Sequence, residues 1–191
     1  MDTNTTAAQN VVFVGGHSRI ARLATPLLIE AGHQVHNIVR APAQTAEIQQ
    51  LGGTSVLMDL EEASPSDFVA AFDGADVIVF SATVDEPAVK LSINAARQTG
   101  VARYLLISSG AHPEAEAHLR DSGMNYTILR PGELVDGDVT GRITVTEDQP
   151  TERTSRNNVA AVIGHILATG AAVNETVSFF DGDTPLAEAL T

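Results

Sequence analysis

The stretch VVFVGGHSRIARLATPLL, residues 11–28, decides how the rest of the chain is read. Four apolar residues predict a short strand, two glycines follow, and from Arg19 the apolar positions recur at helical spacing. Strand, glycine turn and helix in that order make the phosphate-binding turn of a dinucleotide fold, in which helix N–H groups face an anion. Gly15 and Gly16 supply the tight turn, and Ser18 and Ala21 stand where two further glycines are usual. Serine is small, caps a helix start and carries a hydroxyl that can donate to phosphate. Alanine still lets the helix pack close to the strand. His17, Arg19 and Ile20 complete the turn; the histidine can touch phosphate, and the Arg19 guanidinium suits one side of a phosphate clamp. A strand-to-helix turn that binds nothing has the same local sequence, so residues elsewhere must arbitrate.

Outward from this turn the same alternation continues. Apolar runs at QVHNIV (34–39), TSVLM (54–58), DVIVF (76–80), RYLLIS (103–108) and NYTIL (125–129) are separated by stretches with helical apolar spacing, most of them ending in glycine. Strands and helices of these lengths in alternation predict a Rossmann-like, doubly wound α/β fold with a parallel sheet. The strands are apolar almost throughout, as strands covered on both faces must be. The last third is less regular: a short strand at 143–145, a helix over 157–170, a strand over 176–180 and a short C-terminal segment follow the loop GELVDGDVTG. Pro26 falls inside the first helix and predicts a kink near Arg22. Residues 1–10 read as a flexible tail, and residues 11–191 as one NAD(P)-binding domain.

Composition narrows the partners. The chain has 24 Asp and Glu against 11 Lys and Arg, a net charge of −13, which repels nucleic-acid backbones and anionic membranes. No apolar run approaches the roughly 18 residues of a membrane span, and the N-terminus lacks the pattern of a secretory signal. The absence of cysteine excludes thiolate catalysis and disulfides and suits a cytoplasmic location. Redox chemistry must therefore come from a cofactor. Arg40 ends the second strand, where NAD-preferring folds place an acidic residue and NADP-preferring folds a basic one, so NADP(H) is expected over NAD(H).

With these residues in order, the chain resembles the atypical short-chain dehydrogenase/reductases, in particular the NAD(P)H-binding group of NmrA-like and biliverdin/flavin-reductase-like proteins. The resemblance runs through VGGHSRIA, GHQVHNIVR, MDL, VIVFSA, GVARYLLISSG, LRDSGMNYTILRPGEL and DGDTPLAEAL. It implies that Asp59 and Leu60 border the adenine, that Ser81 and Ala82 lie beside the cofactor, and that Arg130, Pro131 and Gly132 lie near the nicotinamide end.

Full members of that superfamily use a Tyr-x-x-x-Lys pair on one helix, the tyrosine donating a proton as hydride arrives. Here the only lysine is Lys90, and both tyrosines, Tyr104 and Tyr126, fall in predicted strands. Only eight residues separate ISSG (107–110) from LRDSG (119–123), where the family carries a substrate loop and the Tyr/Lys helix. A naturally trimmed region and an omitted segment fit that spacing equally. The polar side chains left for catalysis are Ser108, Ser109 and His112, each of which also reads as an ordinary strand-end or loop residue. The carboxylates of PEAEA (113–117) and of Glu61 and Glu62 read as solvated faces or helix-start charges. Two functions follow from the resemblance. One is an NADPH-dependent reductase of a planar flavin-, quinone- or tetrapyrrole-like acceptor. The other is a non-catalytic NADP redox sensor that reports to a protein partner.

Overall fold

The computed structural model describes residues 7–110 and 112–191. In chain order the elements are β1 (Asn10–Val14), α1 (Arg19–Glu30), β2 (Gln34–Val39), α2 (Pro42–Gln50), β3 (Thr54–Leu57), α3 (Pro65–Ala71), β4 (Val77–Phe80), α4 (Glu86–Thr99) and β5 (Arg103–Ile107). There follow α5 (Pro113–Arg120), β6 (Asn125–Pro131), β7 (Glu133–Val135), β8 (Arg142–Thr146), β9 (Arg153–Ser155), α6 (Arg156–Thr169), β10 (Glu175–Asp181), β11 (Thr184–Pro185) and α7 (Leu186–Ala189).

The main sheet has the order β11-β8-β10-β6-β5-β4-β1-β2-β3. From β3 to β10 all neighbours are parallel, and β8 joins the far side antiparallel to β10. This is the doubly wound α/β arrangement expected from the alternation, with the chain reversing direction across the sheet between β1 and β4. Alternate residues of each strand serve opposite faces. Val11, Phe13, Val79, Leu105 and Leu129 pack with Ala24 and Leu28 of α1 and Val159, Ile163 and Ile166 of α6. Val12, Val14, Ile78, Phe80 and Ile128 pack with Phe68 of α3, Val89 and Ile93 of α4, and Ala115 and Leu119 of α5.

α1 runs without a break through Pro26, because Ala24, Thr25 and Leu28 around the proline are fully buried and keep the segment against the sheet. β7, inside the segment read as the loop GELVDGDVTG, pairs in parallel with β9. Strands of two or three residues offer no periodicity to read, which is why β7, β9 and β11 are invisible in the sequence.

Candidate functional site

The C-terminal ends of β1 to β4 border a cleft of about 300 Å³ lined by Gly15, His17, Ser18, Arg40, Gln44 and Asp59, together with Leu60, Ser81 and Ala82. Gly15 turns the chain at φ +78°, and a Cβ there would lie 2.6 Å from the Ala82 backbone, so only glycine fits. Gly16 is packed as tightly on the other side: a Cβ would come within 2.5 Å of Asn37. Asn37, fully buried in β2, donates from Nδ2 to the Gly16 carbonyl at 2.9 Å and to Thr25 Oγ1 at 2.9 Å. It fixes the turn from beneath. In the sequence it is one of three polar residues of β2, with Gln34 and His36, so nothing local singles it out.

Ser18 is the α1 N-cap, its Oγ accepting from the Ala21 N–H at 3.0 Å and lying 2.9 Å from Ser81 Oγ. The Ser81 hydroxyl faces the Gly15 and Val14 carbonyls at 3.1 and 3.3 Å, so its proton goes to them. The Ser18 proton then goes to Ser81, and Ser18 contributes a cap and a brace. The donors left at this turn are the backbone N–H groups of His17, Arg19 and Ile20, which have no partner among the described residues. Unpartnered N–H groups at a helix start, beside glycines a Cβ would displace, fit the phosphates of a dinucleotide.

The Arg40 side of the cleft is held by one carboxamide. Gln44 Oε1 accepts the N–H groups of Arg40 and Ala41 at 2.9 and 3.2 Å, and its Nε2 meets His17 Nδ1 at 3.2 Å. His17 Nε2 lies 2.8 Å from Glu47, whose carboxyl is held below the ordinary glutamate range chiefly by that bond. The Arg40 guanidinium is 72% exposed and meets Asp59 only at 3.8 Å, so it remains available to an anion.

Not all predicted residues gather here. Arg19 turns away to Asp136 at 3.0 Å, and the Ile20 side chain is buried in the core. Neither lines the cleft with its side chain. Arg130, Pro131, Gly132, Ser108, Ser109 and His112 stand at the ends of β5 and β6 and the start of α5, also outside the cleft lining.

There the carboxylate reading needs correction. Glu116 is fully buried, not solvated. It takes a bidentate pair from Arg130, with Nε at 3.1 Å and a shorter second contact from the other guanidinium nitrogen, and a bond from Arg120 at 3.0 Å. Burial pushes the Glu116 carboxyl up, but the bonds from Arg130, Ser108 and Arg120 outweigh it and hold it below the usual carboxylate range. Ser108, itself buried, accepts from the Gly110 N–H at 3.2 Å. The Pro131 carbonyl accepts from Gln149 at 2.8 Å, and the Gly132 N–H points to Thr154 Oγ1 and the Phe179 carbonyl at 2.9 and 3.0 Å. Ser109 is exposed, and His112 is the half-buried N-cap of α5 with no side-chain capping bond. Ala111 between them lies outside the described residues. α5 is instead tied to α4: Glu86 accepts from the Ala115 N–H at 2.7 Å, and Lys90 pairs with Glu114 at 2.7 Å. Tyr104 is buried with its hydroxyl on Ser92 at 2.9 Å, and burial pushes its phenol up, away from any proton-donor role.

The sequence matches the family described as NAD(P)H-binding over residues 15–112 and 110–169. It is 30% identical to the uncharacterized sugar epimerase YhfK of Bacillus subtilis (strain 168), across 94% of this chain and 98% of that one. That alignment spans 210 residues while using 94% of 191, about 180, so about 30 of its positions have no counterpart here. The two stretches of the family match meet at residues 110–112, where the spacing had already shown a shortened region. Among solved structures, a putative NAD-dependent epimerase/dehydratase from Bacillus halodurans superposes with a TM-score of 0.83 at 27% identity, covering 94% of this chain and 97% of that one. ChuY, an anaerobilin reductase from Escherichia coli O157:H7, shares the fold with a TM-score of 0.78 at 22% identity, covering 91% and 97%. Among the described residues, no helix is long and apolar enough to cross a membrane.

Proposed function

The chain belongs to the NAD(P)H-binding family, and on that premise we propose that it is an NADPH-dependent reductase of a planar, electron-poor acceptor of flavin, quinone or tetrapyrrole type. The observation that carries the cofactor preference is Arg40: an exposed guanidinium at the end of β2, loosely countered by Asp59 and held in place through Gln44. In this reading Arg40 takes the 2′-phosphate, and the N–H groups of His17, Arg19 and Ile20 take the pyrophosphate. Gly15, Ala82 and Leu60 line the same cleft. NADPH supplies the hydride when bound. Ser109 and His112 flank the acceptor, and the proton comes from solvent at the exposed Ser109 rather than from a tyrosine. That a reductase shares this fold supports the chemistry.

A second reading is favoured by one observation: Ser108, the strand-end serine, is buried and does not line the cleft at the glycine turn. A site with that serine buried and no Tyr/Lys pair suits an NmrA-like sensor that binds NADP(H) and signals to a protein partner in the cytoplasm. Titrating NADPH and NADH into the chain and into Arg40→Ala tests the cofactor reading, with loss of NADPH preference expected in the variant. Oxidation of NADPH over a panel of flavins, quinones and tetrapyrroles supports the reductase. Tight cofactor binding without turnover across that panel supports the sensor.

A further inference from the structure

We propose that the chain has a second ligand site, for a small organic carboxylate with a compact apolar body, in a cavity between α1, α2 and the start of α6. The cavity measures about 620 Å³, and its walls include Arg19, Arg22, Leu23, Leu51, Asp136 and Arg156. Three of the eleven cationic residues of a chain with net charge −13 therefore line one hollow. Two carboxylates answer them. Asp136 is shared between Arg19 at 3.0 Å and Arg156 at 2.9 Å, and Glu47 lies 3.4 Å from Arg22 while holding His17 at 2.8 Å. The hollow keeps a net positive charge.

Arg22 is the least satisfied of the three. Its Nε is buried and has no hydrogen-bond partner among the described residues. The Arg22 side chain as a whole is 38% exposed, so a ligand in the hollow reaches its outer guanidinium nitrogens rather than Nε. Asp136 and Glu47 are 73% and 52% exposed, so water screens their pairs and an incoming anion can displace them. A carboxylate presents two oxygens at the spacing of a guanidinium edge. Leu23 and Leu51 give the rest of such a ligand an apolar surface. One negative charge neutralises the excess of one guanidinium, which favours a monoanion over a phosphate dianion. The cavity is separate from the nucleotide cleft, with Glu47 and His17 between them, and the inference does not depend on which dinucleotide that cleft takes.

Saturation-transfer NMR on the full chain, with benzoate as probe and benzamide as its neutral counterpart, tests the site. Benzoate is expected to give a signal about tenfold stronger than benzamide. That signal should fall about tenfold in Arg22→Gln and in Arg156→Gln and persist in Arg40→Ala. The two glutamine variants sit on different helices, and their melting temperatures are compared with the parent so that a misfolded one is set aside. Equal signals from the two probes, or a benzoate signal unchanged in the glutamine variants, overturn the site. Loss of the signal in Arg40→Ala also overturns it, because benzoate would then be in the nucleotide cleft.

Discussion

At the ends of β1 and β2 the chain leaves polar groups over: three backbone N–H groups at the start of α1 and the guanidinium of Arg40 have little or nothing to bond among the described residues. At the ends of β5 and β6, along the same rim of the sheet, the polar groups close on one another. Glu116 takes Arg130 and Arg120; the Pro131 carbonyl takes Gln149; the Gly132 N–H takes Thr154 and Phe179. Buried polar groups must find partners, and where a ligand or a longer loop would provide them the chain can leave them open. The first region is arranged for a ligand and the second for the fold. The change falls beside residues 110–112, where the two stretches of the family match overlap.

The sharpest way to break this contrast is to cut one group from each side. Glu116→Ala leaves Arg130 without its counter-ion in a buried setting and should cost about 3 kcal/mol of stability, the low end of the usual range because Arg130 remains partly exposed. Urea unfolding measures it, and a variant as stable as the parent would mean the Glu116 cluster does not hold the fold. The same cluster gives a pH signature. The folded Glu116 carboxyl lies below its ordinary value of 4.5. Its contribution to stability is therefore complete above that value and is lost as pH falls through the lower folded one. The acid limb of the stability curve should flatten in Glu116→Gln.

Arg40→Ala, on the open side, should leave the melting temperature unchanged while weakening NADPH binding about tenfold, or ~1.4 kcal/mol, with NADH little affected. Fluorescence titration reads both. A fall in melting temperature like that of Glu116→Ala would erase the contrast. The smallest effect is expected at Ser18, where alanine removes a helix cap worth about 1 kcal/mol and leaves NADPH affinity within about twofold, since the Ser18 proton is directed at Ser81. A tenfold loss of affinity there would put that proton on the phosphate instead.

Much of this was legible without coordinates. Alternating apolar runs and glycine-ended helices specify a parallel sheet, because strands buried on both faces are mostly apolar and crossovers need helices of that length. Gly15 and Arg40 were identifiable because backbone conformation and formal charge are properties of single residues. Glu116 was not. Read in PEAEA it is one of several helix-start carboxylates, and nothing local distinguishes it from Glu114, which is exposed and paired with Lys90. Burial depends on which face of α5 meets the sheet and on Arg130, fourteen residues away, coming opposite. Arg19 illustrates the same limit: its place in the glycine turn suggests a phosphate clamp, but Asp136, 117 residues on, draws its guanidinium out of the cleft. The sequence by itself determined the longer strands and helices, their order and the end of the sheet at which a nucleotide would lie, since these follow from local periodicity and chain direction. Only the tertiary structure decided which polar groups remain open and which are consumed, because a hydrogen-bond partner is a fact of distance in space and not of spacing along the chain.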